Sequence, residues 1–165
     1  MTGVVRIAAV IGVAALIWLV AGSRVQIHER LPLSSIVPGA VMTQPFGCTT
    51  FELEPFDPLC PGLHIHTGID LAAPQGTPVY AAAGGTARIG FDPRGAGLFV
   101  LVVLDQHVRV LYCHLSAALV VNGGAVTTGE AIGAVGTTGM STGAHLHFEV
   151  QIDGRSVDPA VWLGP

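Results

Sequence analysis

The stretch AHLHFEV, residues 144–150, alternates between apolar side chains and side chains that can carry chemistry. Successive side chains of a β-strand point to opposite faces. The Leu, Phe and Val of the stretch would then pack into a core, whereas His145, His147 and Glu149 would line one surface. The alternation predicts a half-buried strand that presents two imidazoles and a carboxylate in a row.

The pattern around this strand continues as β structure from about residue 39. Short apolar runs rich in β-branched residues are separated by Gly, Asn and Asp, and no stretch shows a convincing helical stripe. Residues 120–136, VVNGGAVTTGEAIGAVG, are similar to the turn-rich part of biotinyl and lipoyl carrier domains, but those carriers use a lysine and this chain has none. We expect an all-β fold of antiparallel strands, a β-sandwich or barrel-sandwich hybrid, without the carrier function.

The N-terminus carries an uncharged apolar run, IAAVIGVAALIWLVAG, over residues 7–22. Its length lies between that of a long signal-peptide core and that of a short membrane span, so both interpretations stay open. Residues 21–23, AGS, form a weak cleavage site. We predict a hydrophobic N-terminal helix within residues 1–23 that is a signal peptide or a membrane anchor, a linker over residues 24–38, and one domain over residues 39–165 outside the cytoplasm.

The charge of the chain argues against one class of partner. The net charge is −4, the seven basic residues are all Arg, and the sequence contains no basic patch. Proteins that bind nucleic acids use such patches to contact phosphates. We therefore expect no nucleic-acid partner.

The three cysteines are compatible with one disulfide. Cys48 and Cys60 bracket a short acidic segment, and in an oxidising compartment they could close it as a disulfide. The alternative is a separate zinc site made by these cysteines with His64 and His66, but the spacing fits no common zinc module. Cys113 is left over, and we expect it to be a small buried apolar residue.

Five of the seven histidines fall in three segments, LHIHTGID (residues 63–70), LYCHL (residues 111–115) and AHLHFEV. His66 and Asp70 are four residues apart, so they share a face whether the local chain is extended or helical. His145 and His147 share a strand face, roughly 6.5 to 7 Å apart from Cα to Cα. Two imidazoles and one carboxylate can hold Zn²⁺ with a position open for water, and further histidines nearby could act as acid–base groups.

Together these segments resemble the lysostaphin/LytM-type zinc metallopeptidases of bacterial cell walls. The resemblance extends from about residue 41 to residue 159, with the motifs in the family's order. It rests on HTGID (66–70), LAAPQGTPVYAAA (71–83), YCHL (112–115) and GMSTGAHLHFE (139–149). Either the His-x-His or the His-x-x-x-Asp pattern alone would be a weak signal, whereas the motifs together are specific.

The resemblance implies a site and an activity. His66, Asp70 and His147 would bind one Zn²⁺ per chain, and His114 and His145 would be the catalytic histidines. The family fold is a β-sandwich with an open groove, and the family hydrolyses peptide bonds in peptidoglycan stem peptides or cross-bridges. We then expect His145 to move the proton and His114 to hold the water or the developing oxyanion.

Two neighbouring residues have expected supporting roles. Tyr112 would share the face of His114 if their strand alternates, and Glu149 would accept a ring N–H from a ligand histidine. His64 is a minor candidate ligand, because it would share a face with His66 in an extended chain.

The remaining expectations concern one segment near the groove and two histidines outside the motifs. The Cys-flanked segment of residues 46–62 departs from the family pattern and could form one wall of the groove, where it would restrict substrates. His107 and His28 are expected to face solvent.

Two alternatives to the endopeptidase stay open. One is a non-catalytic regulator of the same fold that activates another wall hydrolase, and the other is a metal-binding module without hydrolysis. An endopeptidase needs an open cleft and a vacant coordination position. We expect a monomer that acts on peptidoglycan peptides outside the cytoplasm, with residues 7–22 as a possible membrane tether.

Overall fold

The computed structural model describes residues 29–164 of the chain. The predicted N-terminal helix, with its possible role as signal or tether, and the predicted solvent-facing His28 lie outside these residues. Within the described part of the chain, no helix is both long enough and apolar enough to cross a membrane.

Strands dominate the described residues, and the helices Leu33–Ile36 (α1) and Pro159–Leu163 (α2) are short. The strands are, in chain order, Val41–Gln44 (β1), Gly47–Thr49 (β2), His64–His66 (β3), Ile69–Ala72 (β4), Pro78–Tyr80 (β5), Gly85–Asp92 (β6), Gly97–Val103 (β7), Val108–Leu115 (β8), Ala117–Ala118 (β9), Ala125–Val126 (β10), Ala131–Ala134 (β11), His145–Ile152 (β12) and Arg155–Val157 (β13).

These strands form one large sheet and two small ones. The large sheet has eight strands in the order β1-β4-β12-β8-β7-β6-β10, with β13 paired to β12. A second sheet has the order β5-β11-β9, and β2 pairs with β3. Every pairing between these strands is antiparallel. The prediction of an antiparallel all-β fold is therefore confirmed over the described residues.

The hydrophobic core packs against one face of β12. Leu146, Phe148 and Val150 are fully buried, as the sequence alternation predicts. The ring centroid of Phe148 lies 5.3 Å from that of Tyr112 on the adjacent strand β8. Burial of each such side chain contributes roughly 1.5 to 3 kcal/mol. The core therefore fixes β12 in a register that leaves its histidines on the other face.

Strand β8 contains a β-bulge that overturns one expectation. Its register with β7 shifts by one residue between Tyr112 and Leu115, so Cys113 and His114 stand opposite a single partner residue. His114 also adopts a positive φ of 61°. Bulges re-aim side chains, and here alternation fails. The prediction that Tyr112 shares the face of His114 is wrong, because Tyr112 is buried in the core, where its hydroxyl accepts the N–H of Ala82 at 2.7 Å.

Residues 29–38, which belong to the predicted linker, pack along the domain. Ile36 and Val37 are buried in the core. The guanidinium of Arg30 lies 4.4 Å from the ring centroid of Trp162 and donates to the carbonyl of that residue. The start of this segment thus contacts the C-terminal helix α2, and the predicted domain boundary at residue 39 stays a prediction.

Residues 46–62, called the insert below, are closed by a disulfide. Cys48 and Cys60 are joined with their Cα atoms 5.2 Å apart. This pairing agrees with the preferred expectation and leaves neither cysteine for a separate zinc site. Cys113 is free and buried, as predicted.

Candidate active site

Three side chains converge beside strands β4 and β12. Asp70 and His147 are directly paired across these strands, and His66 ends β3. Nε2 of His66 lies 3.1 Å from Oδ1 of Asp70 and 3.0 Å from Nδ1 of His147, and the latter two atoms are 3.0 Å apart. The structure therefore brings the three predicted ligands into one compact triangle of donor atoms, called the triangle below.

The outer nitrogen of each ring decides which nitrogen faces the triangle. Nδ1–H of His66 donates to the carbonyl of Pro45 at 2.8 Å. Nε2 of His147 lies 3.6 Å from Oε2 of Glu149. The Pro45 carbonyl places the His66 proton on the outer nitrogen, and the nearby Glu149 carboxylate favours the same for His147. In these tautomers the two inner nitrogens point lone pairs at each other across 3.0 Å. Facing lone pairs require a cation or a shared proton between them, so the donor set fits a metal ion.

Glu149 is oriented by several donors. The Thr67 hydroxyl donates to Oε2 at 3.1 Å, and the Gln151 amide and the Ser156 hydroxyl donate to Oε1 at 2.8 and 2.6 Å. Burial would raise the pKa of Glu149, but His147, Ser156 and Gln151 outweigh it and hold the pKa below its usual value. The carboxylate is thus ionised and lies 3.6 Å from the outer nitrogen of His147, which is longer than a hydrogen bond, so its role as acceptor of the ring N–H stays a prediction.

Two more imidazoles lie beside the triangle. Nδ1–H of His145 donates to the carbonyl of Gly143 at 2.8 Å, and Nδ1–H of His114 donates to the carbonyl of Thr138 at 2.9 Å. Each Nε2 is left with a lone pair. Nε2 of His145 lies 3.7 Å from Oδ1 of Asp70, and the ring centroids of His114 and His145 are 4.7 Å apart. His114 and His145, the predicted catalytic residues, therefore lie next to each other and close to the predicted metal ligands.

Asp70 and His147 of the triangle line a surface groove. One wall is formed by Phe51 and residues 53–55 of the insert, and another by residues 140–142 of the loop before β12. A second depression continues past Asp70 and His145 along β1. The insert is thus a wall of the groove, as predicted.

The model of peptidase family M23 matches residues 64–159, more than half of the chain. The chain belongs to peptidase family M23. Among its relatives, this M23 chain is 50% identical over 95 residues to the DD-carboxypeptidase/endopeptidase Mpg of Neisseria meningitidis, which covers 58% of the chain and 22% of that protein. It is 36% identical over 110 residues to the peptidoglycan DD-endopeptidase ShyA of Vibrio cholerae, which covers 67% of the chain and 26% of that protein.

Solved structures confirm the fold of this M23 chain. The catalytic domain of lysostaphin from Staphylococcus simulans superposes with a TM-score of 0.62 at 29% identity, over 75% of this chain and 92% of that one. A zinc-containing peptidase from V. cholerae superposes with a TM-score of 0.65 at 31% identity, over 79% and 38% of the two chains. The chain spans only 20% to 26% of the length of its curated relatives from Haemophilus influenzae, N. meningitidis and V. cholerae.

Charge and burial set the protonation of the M23 site. Burial would lower the pKa of His147, but Asp70 and Glu149 outweigh it and raise the pKa to about 9. Burial would raise the pKa of Asp70, but His147 and His66 hold it far below its usual range. Without a metal ion, a proton therefore belongs to this group at neutral pH, and a bound ion would replace it.

His114 has the opposite tendency. Burial lowers the pKa of His114 to about 4, although the hydrogen bond to the Thr138 carbonyl opposes this shift. The imidazole is therefore neutral at physiological pH. With its proton on Nδ1, its Nε2 can only accept a hydrogen bond.

Glu54 is a groove residue that the sequence motifs did not identify. Its Oε1 lies 4.0 Å from Nε2 of His66 and accepts the side-chain amide of Gln44 at 3.3 Å. Burial raises the pKa of Glu54, while the nearby charges of His66 and His147 oppose this. The sequence signal was only the acidic character of the insert, which does not distinguish Glu54 from the exposed Glu52.

Two other histidines lie outside the M23 site. His64 donates from Nδ1 to the carbonyl of Glu54 at 2.7 Å, and its ring contacts Phe56 edge-on. The structure therefore does not support its minor candidacy as a ligand. His107 is exposed and pairs with Asp153 at 2.6 Å, in agreement with the expected solvent-facing position.

Proposed function

We propose that this chain is a zinc-dependent endopeptidase that hydrolyses peptide bonds in peptidoglycan stem peptides or cross-bridges. One observation carries the proposal: the donor atoms of His66, Asp70 and His147 lie within 3.1 Å of one another, with two more imidazoles beside them. The relatives suggest the substrate, because ShyA is named a peptidoglycan DD-endopeptidase and Mpg a DD-carboxypeptidase/endopeptidase.

The proposed zinc ligands are Nε2 of His66, Oδ1 of Asp70 and Nδ1 of His147. Two neutral imidazoles and one carboxylate bring a single negative charge to the ion. A bound zinc ion lowers the pKa of a water molecule and polarises the scissile carbonyl. Glu149 favours the required orientation of the His147 ring, because its negative charge lies 3.6 Å from the outer nitrogen.

His145 is the proposed general base and acid. Its Nδ1–H is held by the Gly143 carbonyl, so its Nε2 lone pair is available to take a proton from the attacking water and to return it to the leaving amine. Strand β12 places this ring on the same face as His147, two residues away. The proton acceptor therefore stands directly beside the proposed ligands.

His114 is proposed to orient the attacking water. The Nε2 of His114 is unprotonated, and the pKa of His114 is lowered to about 4. Nε2 can therefore accept a hydrogen bond from water across the neutral pH range. In this tautomer it has no Nε2 proton to donate to an oxyanion. Of the two roles expected from the sequence, the geometry favours the hold on water.

We further propose that the chain works as a monomer outside the cytoplasm, with residues 7–22 as a cleaved signal or a membrane tether. Peptidoglycan lies outside the cytoplasmic membrane, and the Cys48–Cys60 disulfide fits an oxidising compartment. A relative that is 35% identical over 99 residues is named lipoprotein YgeR of Escherichia coli.

The proposal is tested with the full-length protein in detergent, stripped of metal and reloaded with zinc. Cleavage of cross-linked muropeptides is followed by mass spectrometry. We expect hydrolysis only with zinc, and His145→Ala should lower kcat by about 10²- to 10⁴-fold with unchanged zinc content. His107→Ala is the matched control, because that imidazole is exposed and paired with Asp153 away from the groove; it should retain wild-type activity.

The same experiment separates the alternatives. If zinc-loaded wild type and His145→Ala were equally inert on cross-linked muropeptides of every chemotype, the endopeptidase would be excluded. A non-catalytic regulator would then be the better account.

A further inference from the structure

The insert places one carboxylate in the groove. Glu54 lines the groove together with residues 140–142, and its Oε1 lies 4.0 Å from the inner nitrogen of His66. Glu52, two residues earlier, is exposed and does not line the groove. The two acidic residues of the same segment therefore differ in what a bound peptide would meet.

Backbone contacts hold Glu54 in position. Its N–H donates to the carbonyl of Phe51 at 3.0 Å, and its carbonyl accepts Nδ1–H of His64 at 2.7 Å. The next residue, Pro55, accepts the N–H of Ile65 at 3.0 Å. Together with the disulfide that closes the insert, these bonds make the carboxylate part of a preorganised wall.

The carboxylates that line the groove differ in how many donors they accept from. Among the described residues that line it, three are carboxylates and none is Arg, and the chain has no Lys. Asp70 contacts the rings of His66 and His147, and Glu149 accepts from three side chains. Glu54, by contrast, accepts one side-chain donor among the described residues, the Gln44 amide at a long 3.3 Å, and its Oε1 lies 4.0 Å from Nε2 of His66. Glu54 is therefore the groove carboxylate with the fewest hydrogen bonds, and its oxygens are the most available to a bound substrate.

We propose that Glu54 is a specificity-determining residue that disfavours substrates with a free carboxylate beside the scissile bond and favours those in which this carboxyl group is amidated. The inference rests on the proposed endopeptidase function and narrows its substrate class. Like charges in a partly buried groove repel with little screening, and one repulsive contact is enough for about tenfold discrimination. An amide removes the repulsion, and its N–H can donate to Glu54.

The test uses two synthetic cross-linked stem peptides that differ only in the carboxyl groups flanking the scissile bond, free acids in one and primary amides in the other. The full-length, zinc-loaded protein is assayed for kcat/KM on both peptides. The zinc-loaded His145→Ala variant is titrated with both peptides by calorimetry, which gives a binding ratio that does not depend on hydrolysis.

We expect wild type to favour the amidated peptide by about tenfold or more in kcat/KM, and the inactive variant to favour it similarly in Kd. Glu54→Gln should reduce the kcat/KM ratio and the Kd ratio to about threefold or less, because the acid peptide should be cleaved faster and bound more tightly. Glu52→Gln should keep the wild-type ratios, because that side chain does not line the groove.

Equal kcat/KM of wild type on the two peptides would overturn the inference. A Glu54→Gln variant whose kcat/KM falls by the same factor on both peptides would also overturn it. If neither peptide were cleaved, the endopeptidase proposal would fail, and the binding ratios of His145→Ala with and without Glu54→Gln would still decide the role of Glu54. If the Kd ratio of the two peptides were the same with and without Glu54→Gln, the proposed role of Glu54 would be rejected. If Glu54→Gln removed the preference for the amidated peptide, that role would be supported.

Discussion

At the scale of single residues, each imidazole of the site is oriented by an acceptor on its outer nitrogen. The carbonyls of Pro45, Thr138 and Gly143 each accept from one ring, and Glu149 faces the fourth. These acceptors select the tautomers, and the tautomers decide which nitrogen can bind a metal ion or a proton. The chemistry of the site therefore depends on backbone atoms as well as on side chains.

Glu149→Gln tests this orientation at one residue. The amide lacks the charge that supports the ring N–H of His147, so we expect zinc affinity to fall by about 10- to 100-fold. Competition with a chromophoric chelator measures the change. Glu52→Gln is the control, since Glu52 is exposed. Equal zinc affinity in wild type and Glu149→Gln would show that the carboxylate does not support the ligand.

Proton release on zinc binding tests the charge balance of the triangle. Asp70 and Glu149 raise the pKa of His147 in the metal-free protein to about 9. At pH 7 the ring is therefore mostly protonated, and zinc should displace about one proton per ion. As pH falls below about 9, apparent affinity should fall about tenfold per pH unit. Calorimetry in buffers of different ionisation enthalpy counts the protons, and a count of zero at pH 7 would contradict the assignment.

At the scale of the elements, strands β4 and β12 must lie unusually close at the turn that precedes β4. A Cβ on Gly68 would lie 2.5 Å from the carbonyl oxygen of Phe148 and 2.9 Å from the ring of His147. Contacts under 3.0 Å with a backbone atom cannot be relieved without moving a strand. This glycine therefore allows Asp70 and His147 to meet.

Gly68→Ala tests this close approach. We expect the variant to lose zinc affinity by at least about tenfold and to unfold at a lower temperature, because β4 must move away from β12. Gly143→Ala is the matched control, since a Cβ there meets nothing within 4 Å. Zinc titration and thermal unfolding of both variants measure the effect, and a Gly68→Ala protein with wild-type zinc affinity would refute the account.

The sequence predicted the faces of strand β12 correctly but not those of strand β8, and the difference has a physical reason. Alternation placed His145 and His147 on one face of β12, because that property depends only on the local chain. The bulge at Cys113 and His114 depends on the register between β8 and β7, and local alternation does not contain this information. Tyr112 was therefore assigned to the wrong face. The groove role of Glu54 was also missed, because the fold of the insert depends on long-range pairing with β3.

At the scale of the whole molecule, the site is assembled by sheet order. Strands β4, β12 and β8 are neighbours in the large sheet, although they are distant in the chain. This order brings Asp70, His147 and His114 together, and the disulfide-closed insert adds a wall. The family motifs identified the residues, and the antiparallel topology explains how they meet.

The disulfide should contribute measurably to the stability of the whole domain. Cys48 and Cys60 are 12 residues apart, and closing a loop of this size stabilises a fold by roughly 3 kcal/mol in the chain-entropy model. We expect the Cys48→Ser/Cys60→Ser variant to lose about 2 to 3 kcal/mol of unfolding free energy in urea titrations. Cys113→Ser, with the disulfide intact, is the control. It measures the cost of replacing a buried cysteine by serine without opening the insert. Unchanged stability of the double variant would show that the closed insert does not contribute.

The most direct test of the central claim is a crystal structure of the zinc-loaded, full-length protein with anomalous data collected at the zinc edge. We predict one anomalous peak per chain, bonded to Nε2 of His66, Oδ1 of Asp70 and Nδ1 of His147, with the rings of His114 and His145 beside its remaining position. A peak elsewhere, or a peak that lacks any one of these three ligands, would contradict the account.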